Sequence, residues 1–179
     1  YREQVFPGAH DTQQRFNIYN NRAYQLGVAN IQPAKALEDA NRAIGLLGGD
    51  AAMLDIHGFS QYLQAYELYL EDQIATALIR ANLAITWSEK SWHQWQRSSD
   101  PRWPPETIKL HQQRTLAFQR YRATLYLLRS QIHEQLGHAT FRQQDLEQIQ
   151  SLGFIPDKLK LPFAGLDNPL LPLLELRTL

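Results

Sequence analysis

A nine-residue phrase occurs twice in this chain. Residues 36–44 read ALEDANRAI and residues 77–85 read ALIRANLAI, so that six of the nine positions are identical. In both copies alanines stand at the first, fifth and eighth positions, a spacing that places them on one face of an α-helix. Small side chains on one face let a second helix approach closely. The repetition therefore predicts two equivalent helices, each packed against a neighbour.

Each copy follows another segment with helical spacing of apolar residues. RFNIYNNRAYQLGV precedes the first copy and DAAMLDIHGFSQYLQAY precedes the second, with two glycines at 48–49 between the units. A third pair of such segments begins at Ala123, bends at Gly137 and closes at Gly153. Glycine tolerates the left-handed conformation that is common just past a helix. The sequence therefore predicts an all-α fold of three helical hairpins.

These hairpins resemble the tetratricopeptide repeat, a helix-turn-helix unit of about 34 residues. Its first helix has a bulky residue followed by a large-small pair, and the chain matches this at Tyr19…Arg22-Ala23, Leu54…His57-Gly58 and Tyr126…Arg129-Ser130. The stripe of its second helix is matched at Ala36/Ala40/Ala43, Ala77/Ala81/Ala84 and Arg142/Leu146/Ile149. The closing proline of the family is absent, since Gly48 and Phe154 stand in its place. The resemblance covers about residues 15–88 and 121–156 and implies a short repeat stack, or α-solenoid.

The chain between the second and third hairpins is longer than a repeat linker requires. Helical spacing continues past residue 86, is interrupted by DPRWPP at residues 100–105, and then resumes. Proline forbids an uninterrupted helix there, whereas Pro105 suits the first turn of a new one. We expect a long helical hairpin insert over about residues 86–122. Its second helix would run from Pro105 to about Leu136 and span roughly 48 Å.

All four tryptophans, including Trp92, Trp95 and Trp103, lie on this insert. One interpretation is that they pack on the facing helix with Ile108 and residues such as Leu116. The other is that these three form an aromatic anchor at the hairpin tip, because tryptophan is enriched in binding hot spots. A membrane-surface role is a further alternative, but basic and acidic residues are balanced around them.

We divide the chain into an irregular arm at residues 1–14, a helical domain at 15–156, and a leucine- and proline-rich segment at 157–179. The last segment is too apolar for a solvated tail. Either it caps the end of the repeat stack, as repeat proteins require, or it reaches a partner or the chain's own groove.

The motif HEQLGH at His133 to His138 is the nearest approach to a catalytic signature. Zinc proteases place two histidines at i and i+4 so that both face the metal. Here the spacing is i+5, about 140° around a helix, so we interpret both as surface histidines. The adjacent acids Glu38-Asp39 are expected on the solvated side of a helix. We therefore predict no catalytic residue, no metal site and no cofactor, and a cryptic enzyme is kept only as an alternative.

Composition narrows the class of partner. Eighteen basic and eighteen acidic residues give a formal net charge of zero, so the chain has no strong field to attract nucleic acid. It contains no cysteine, which excludes disulfides. The chain begins at Tyr1 without a basic-then-apolar leader, and we expect a processed product. The compartment stays open, with the cytoplasm slightly favoured and a removed signal or membrane anchor as the alternative.

The resemblance implies that the first helices of successive hairpins line a concave groove that accepts a peptide segment or a helix of a partner protein. Carried over by motif position, the predicted groove residues are Asn17, Asn20, Tyr24, Asp55, Phe59, Tyr62, Gln131 and Glu134. We predict a non-enzymatic adaptor or assembly factor that uses this groove, the tryptophan hairpin, or both. The alternative is a structural subunit of a permanent complex.

Overall fold

The computed structural model describes residues 12–29, 33–47, 51–97 and 101–161. Within these ranges the chain forms helices and turns and contains no β-strand, which confirms the all-α class. The helices are α1 (Thr12–Ala29), α2 (Pro33–Leu47), α3 (Ala51–Leu70), α4 (Ile74–Arg97), α5 (Pro105–Gln135) and α6 (Ala139–Ser151), followed by a short 3-10 helix (Pro156–Lys158). Helix α1 begins at Thr12, so the last residues of the predicted N-terminal arm are helical.

Successive helices pack as three hairpins. The most extensive contacts join α3 with α4, α1 with α2, and α5 with α6, while α2 with α3 and α4 with α5 connect one hairpin to the next. Helix α3 also contacts α5. The six alanines of the repeated phrase are all buried, as their spacing predicts. Small side chains thus lie where neighbouring helices meet.

Gly58 lies at one of these close approaches. A Cβ atom at this position would lie 3.4 Å from the carbonyl oxygen of Ala84 on α4 and 3.4 Å from the hydroxyl oxygen of Tyr121 on α5. Tyr121 is completely buried in the main core, together with Phe118 of the same helix. Three helices therefore converge on the one residue of α3 that has no side chain.

The two helices on either side of the proline-rich interruption are the longest of those described. Helix α4 has 24 residues and α5 has 31, which at about 1.5 Å per residue makes α5 about 46 Å long. Pro105 occupies the first position of α5, as the sequence predicts. The distal half of this pair carries the tryptophans.

Glycine ends the last two helices in a way that reverses the chain. Gly137 and Gly153 have φ angles of 72° and 88°, a left-handed conformation that costs glycine little. The following amide bonds a carbonyl five residues back, His138 N to His133 O at 2.9 Å after α5 and Phe154 N to Ile149 O at 3.2 Å after α6. Such bonds satisfy carbonyls that a helix end leaves unpaired.

The chain after α6 returns to the core. Phe154, Leu159 and Leu161 are partly buried and pack against it. The remainder of the predicted capping segment, residues 162–179, lies outside the described part of the structure.

Candidate interaction surface

The predicted groove is only partly accessible. The side chains of Asn17, Asn20, Tyr24 and Asp55 lie outside the described part of the structure. Phe59 and Tyr62 are only 3% and 1% exposed, which corrects their assignment to an open groove. They are buried because α3 is packed between α2, α4 and α5, and the Phe59 and Tyr62 rings stack 6.3 Å apart within the main core.

The two groove residues from the third hairpin are on the surface or near it. Gln131 is half-buried and Glu134 is exposed. A Glu134 carboxylate oxygen lies 3.5 Å from a guanidinium nitrogen of Arg142 on α6, and the side chains of Glu134 and Arg142 are 61% and 41% exposed. Of the described groove residues, these two remain candidates for contact with a partner.

Trp92, Trp95 and Trp103 each contact an aromatic ring of α5. Trp92 is half-buried and stacks on Phe118 with ring centroids 5.6 Å apart and planes 14° apart. The guanidinium of Arg122 lies 5.3 Å from the centre of the same indole. This arrangement favours the packing interpretation over a free aromatic anchor. Leu116, expected in the same core, is instead 60% exposed.

Trp95 and Trp103 both contact His111. Trp95 donates its indole N–H to the Thr115 hydroxyl at 3.0 Å, and its ring is parallel to that of His111 with centroids 4.4 Å apart. Trp103 meets His111 edge-on at 5.4 Å. Both indoles are half-buried and contact α5.

A buried arginine-aspartate pair joins the two helices of the first hairpin. Arg22 of α1 donates to both carboxylate oxygens of Asp39 on α2, one of these bonds measuring 2.6 Å, and Asp39 is fully buried. The hydrogen bond to Asp39 raises the pKa of Arg22 above its ordinary value. Glu38 is exposed, as predicted, but Asp39 is not. The expectation that both acids face solvent was wrong, because Asp39 points toward a cation on the partner helix.

The third hairpin contains the same pair. Arg129 of α5 donates to Asp145 of α6 from Nε at 3.0 Å and from Nη2 at 2.6 Å, and Asp145 is 1% exposed. Asp145 stands three residues after Arg142, as Asp39 stands three after Ala36. The two pairs therefore occupy equivalent positions in the motif. Each arginine also lies over a tyrosine three residues earlier in its helix.

The second hairpin lacks this pair. Arg80 stands at the position of the aspartate and donates to the amide oxygen of Gln61 at 3.1 Å. Asn82 of α4 instead accepts a hydrogen bond from Arg129 at 2.9 Å. One guanidinium therefore joins α4, α5 and α6.

The two histidines of HEQLGH meet at the end of α5. Their Nδ1 atoms are 3.3 Å apart, His133 is only 7% exposed, and His138 is exposed. The interpretation of both as surface histidines was wrong, because α5 ends before His138 and the turn at Gly137 brings this residue back over His133. Burial lowers the pKa of His133, against the opposing effect of the Asp145 carboxylate. Arg129 lowers it further.

A pair of large apolar side chains is exposed on α4. Ile79 is 60% exposed and Leu83 is 38% exposed, one helical turn apart on the same face. When the two copies of the phrase are aligned, Ile79 and Leu83 occupy the positions of Glu38 and Arg42. In the first copy, Glu38 and Arg42 form a surface ion pair at 2.6 Å. Sequence reasoning missed this pair, although aligning the two copies already reveals the exchange of charged for apolar residues.

Another exposed apolar residue lies on α6. Phe141 of α6 is 55% exposed and its ring lies 5.3 Å from that of His133. It stands one turn before Asp145, which shares Arg129 with Asn82 of α4. We call the pair of Ile79 and Leu83 on α4 the apolar face.

No protein-family model matches the chain, and neither the curated proteins nor the solved structures include one that matches it. Among the described residues, no group of three or more histidine, cysteine, aspartate or glutamate side chains is arranged to hold a metal ion. None of the described helices combines the length and apolar character that crossing a membrane requires.

Proposed function

We propose that this chain is a non-enzymatic protein–protein interaction module, a stack of degenerate hairpin repeats similar to the tetratricopeptide family. Its partner is a protein segment or helix that covers the apolar face on α4. Gln131 and Glu134 of the predicted groove are candidate secondary contacts.

The equivalence of the hairpins supports the repeat architecture. The buried arginine-aspartate pair occurs in both the first and the third hairpin, and in each a tyrosine stands three residues before the arginine. Buried small residues at the matching position of the first helix, namely Ala23, Gly58 and Ser130, also fit the family pattern. Each hairpin packs mainly on the next along the chain, as in other repeat proteins.

The second copy of the phrase has Ile79 and Leu83 where the first copy has charged residues. The proposed binding of a partner rests on this difference. The corresponding outer positions are charged in the first hairpin and are the exposed glutamines 144 and 148 in the third. Only the second hairpin places two large aliphatic side chains there. Exposing them to water is unfavourable by about 25 cal/mol per Å² of apolar surface, whereas a partner that covers them recovers this free energy. Clustered exposed apolar residues are typical of interaction sites.

The experiment gives the second copy of the phrase the exposed charged residues of the first copy. The double variant Ile79→Glu/Leu83→Arg installs the ion pair of the first copy without changing the core. Cross-linking and affinity capture in the native host identify the partner. In reconstitution with the purified partner, the variant should no longer form the complex. Its melting temperature should be the same as that of the wild type.

The matched control is Glu38→Ile/Arg42→Leu, which makes the reverse change on α2 and should leave partner capture intact. If the α4 variant binds the reconstituted partner as well as the wild type does, the apolar face is not the interface and the proposal fails.

A further inference from the structure

The turn after α5 determines how the two histidines meet. Gly137 adopts the left-handed conformation, and the amide of His138 then donates to the carbonyl of His133 at 2.9 Å. This bond places residue 138 directly beside residue 133, so the helical angle of about 140° between i and i+5 no longer applies. The two imidazoles face each other through Nδ1.

The separation of these nitrogens fits a shared metal ion. Zinc binds histidine nitrogen at about 2.0–2.1 Å, and two such ligands at a tetrahedral angle lie about 3.3–3.4 Å apart. The observed distance is 3.3 Å. We propose that His133 and His138 chelate a divalent transition-metal ion through Nδ1, with water or a group from another molecule completing the coordination.

The surroundings suit this role. On the far side of the His133 ring, Nε2 lies 4.0 Å from a carboxylate oxygen of Asp145. A nearby carboxylate favours the proton on Nε2 and leaves the Nδ1 lone pair available, as carboxylates near metal-bound histidines commonly do. Arg129 neutralises Asp145 through its fork, so the carboxylate remains in place. His138 is exposed, which gives an ion access from solvent.

Without a metal ion, the two imidazoles are joined by a hydrogen bond between their Nδ1 atoms. One Nδ1 carries the proton and donates to the other, since two imidazole nitrogens at this distance form a hydrogen bond only when one of them is protonated. An entering ion takes the position of this proton, which moves to Nε2 of the same ring through solvent. Both imidazoles are then neutral ligands, and no net proton is gained or lost.

The class of ion follows from the donors. Imidazole suits zinc, copper and nickel, whereas magnesium and calcium prefer oxygen. With two protein ligands the site differs from the closed four-ligand sites that are typical of structural zinc. It leaves coordination positions open, and a bound ion would lie at the junction of α5 and α6.

The test uses the full chain without an affinity tag. Calorimetric titration with zinc chloride should show one saturable site per chain, and magnesium chloride should show none. In long-range ¹H–¹⁵N spectra the Nδ1 resonances of both His133 and His138 should shift on zinc addition. The variant His138→Ala should lose the site, and His93→Ala, which removes an exposed histidine of α4, should retain it.

His138→Ala is preferred to a change at His133, because His138 is exposed and its removal costs the metal-free fold one hydrogen bond rather than a buried side chain. Three results would overturn the proposal: no saturable zinc binding by the wild type, undiminished binding by His138→Ala, or zinc-induced shifts at other histidines only.

Discussion

Removing Arg129 should destabilise the fold far more than removing one partner of an exposed ion pair. The change Arg129→Ala leaves the carboxylate of Asp145, whose side chain is 2% exposed, without the fork that now satisfies it. It also deprives Asn82 of a donor. Breaking a buried ion pair from one side typically costs about 3–5 kcal/mol, because the remaining charge is neither paired nor hydrated.

The reverse change gives an internal comparison. Asp145→Ala leaves a guanidinium whose side chain is 23% exposed and which keeps its bond to Asn82. Water can reach it, so we expect a smaller cost of about 1–3 kcal/mol. The control Glu134→Ala breaks a solvent-exposed pair with Arg142 and should cost about 0–1 kcal/mol.

Urea unfolding followed by circular dichroism measures these differences. It should be carried out at pH 8, where His133, with its lowered pKa, is neutral and cannot replace the lost cation. For a chain of this size, 3–5 kcal/mol corresponds to a fall in melting temperature of about 6–20 °C. The reasoning is refuted if Arg129→Ala costs no more than Glu134→Ala, or if Asp145→Ala costs more than Arg129→Ala.

Three further changes test the packing. Gly58→Val should cost about 1–3 kcal/mol or more, because its added carbons meet two neighbouring helices. Trp92→Ala should cost about 2–3 kcal/mol, below the range for a fully buried tryptophan, through loss of its stack on Phe118. Burial and a hydrogen bond to Glu89 raise the pKa of Tyr126 from 10.0 to about 12. The folded state therefore retains this proton longer than the unfolded chain, and stability should fall from pH 10 to 12 in the wild type but less in Tyr126→Phe.

The first two of these changes have control variants, compared by chemical denaturation. Gly45→Val should be nearly neutral, since nothing lies within 4 Å of a Cβ there. Trp103→Ala should cost less than Trp92→Ala, as Trp103 has an edge contact with His111. Equal costs within either pair would contradict the packing described. A wild type and Tyr126→Phe that lose stability in parallel above pH 10 would contradict the role of burial at Tyr126.

Much of the helical framework follows from local sequence. The alanine spacing, the proline before α5 and the glycines at 137 and 153 act within a few residues, and each leads to the expected helix face or end. Asp72 is an exception among the turns, because it adopts a φ of 60° where glycine is the usual residue.

The site residues were harder to predict because their surroundings are set by other helices. Phe59 and Tyr62 match the groove positions of the motif, yet α5 and the neighbouring helices bury them. Asp39 looks like half of a solvated acidic pair until Arg22 of another helix is placed beside it. The angle between His133 and His138 was derived for a continuous helix, and it lost its meaning where the helix ends.

The bond from Arg129 to Asn82 makes the order of the hairpins matter. The repeated phrase keeps its asparagine in both copies, as Asn41 and Asn82, so either helix could accept such a bond. The donor position, however, is His57 in the second hairpin and Arg129 in the third. The hairpins are therefore not interchangeable. Exchanging the second and third hairpins would place His57 at the position from which Arg129 now bonds α4 and α6. A chain with its hairpins reordered would therefore lose the hydrogen bonds that connect these helices.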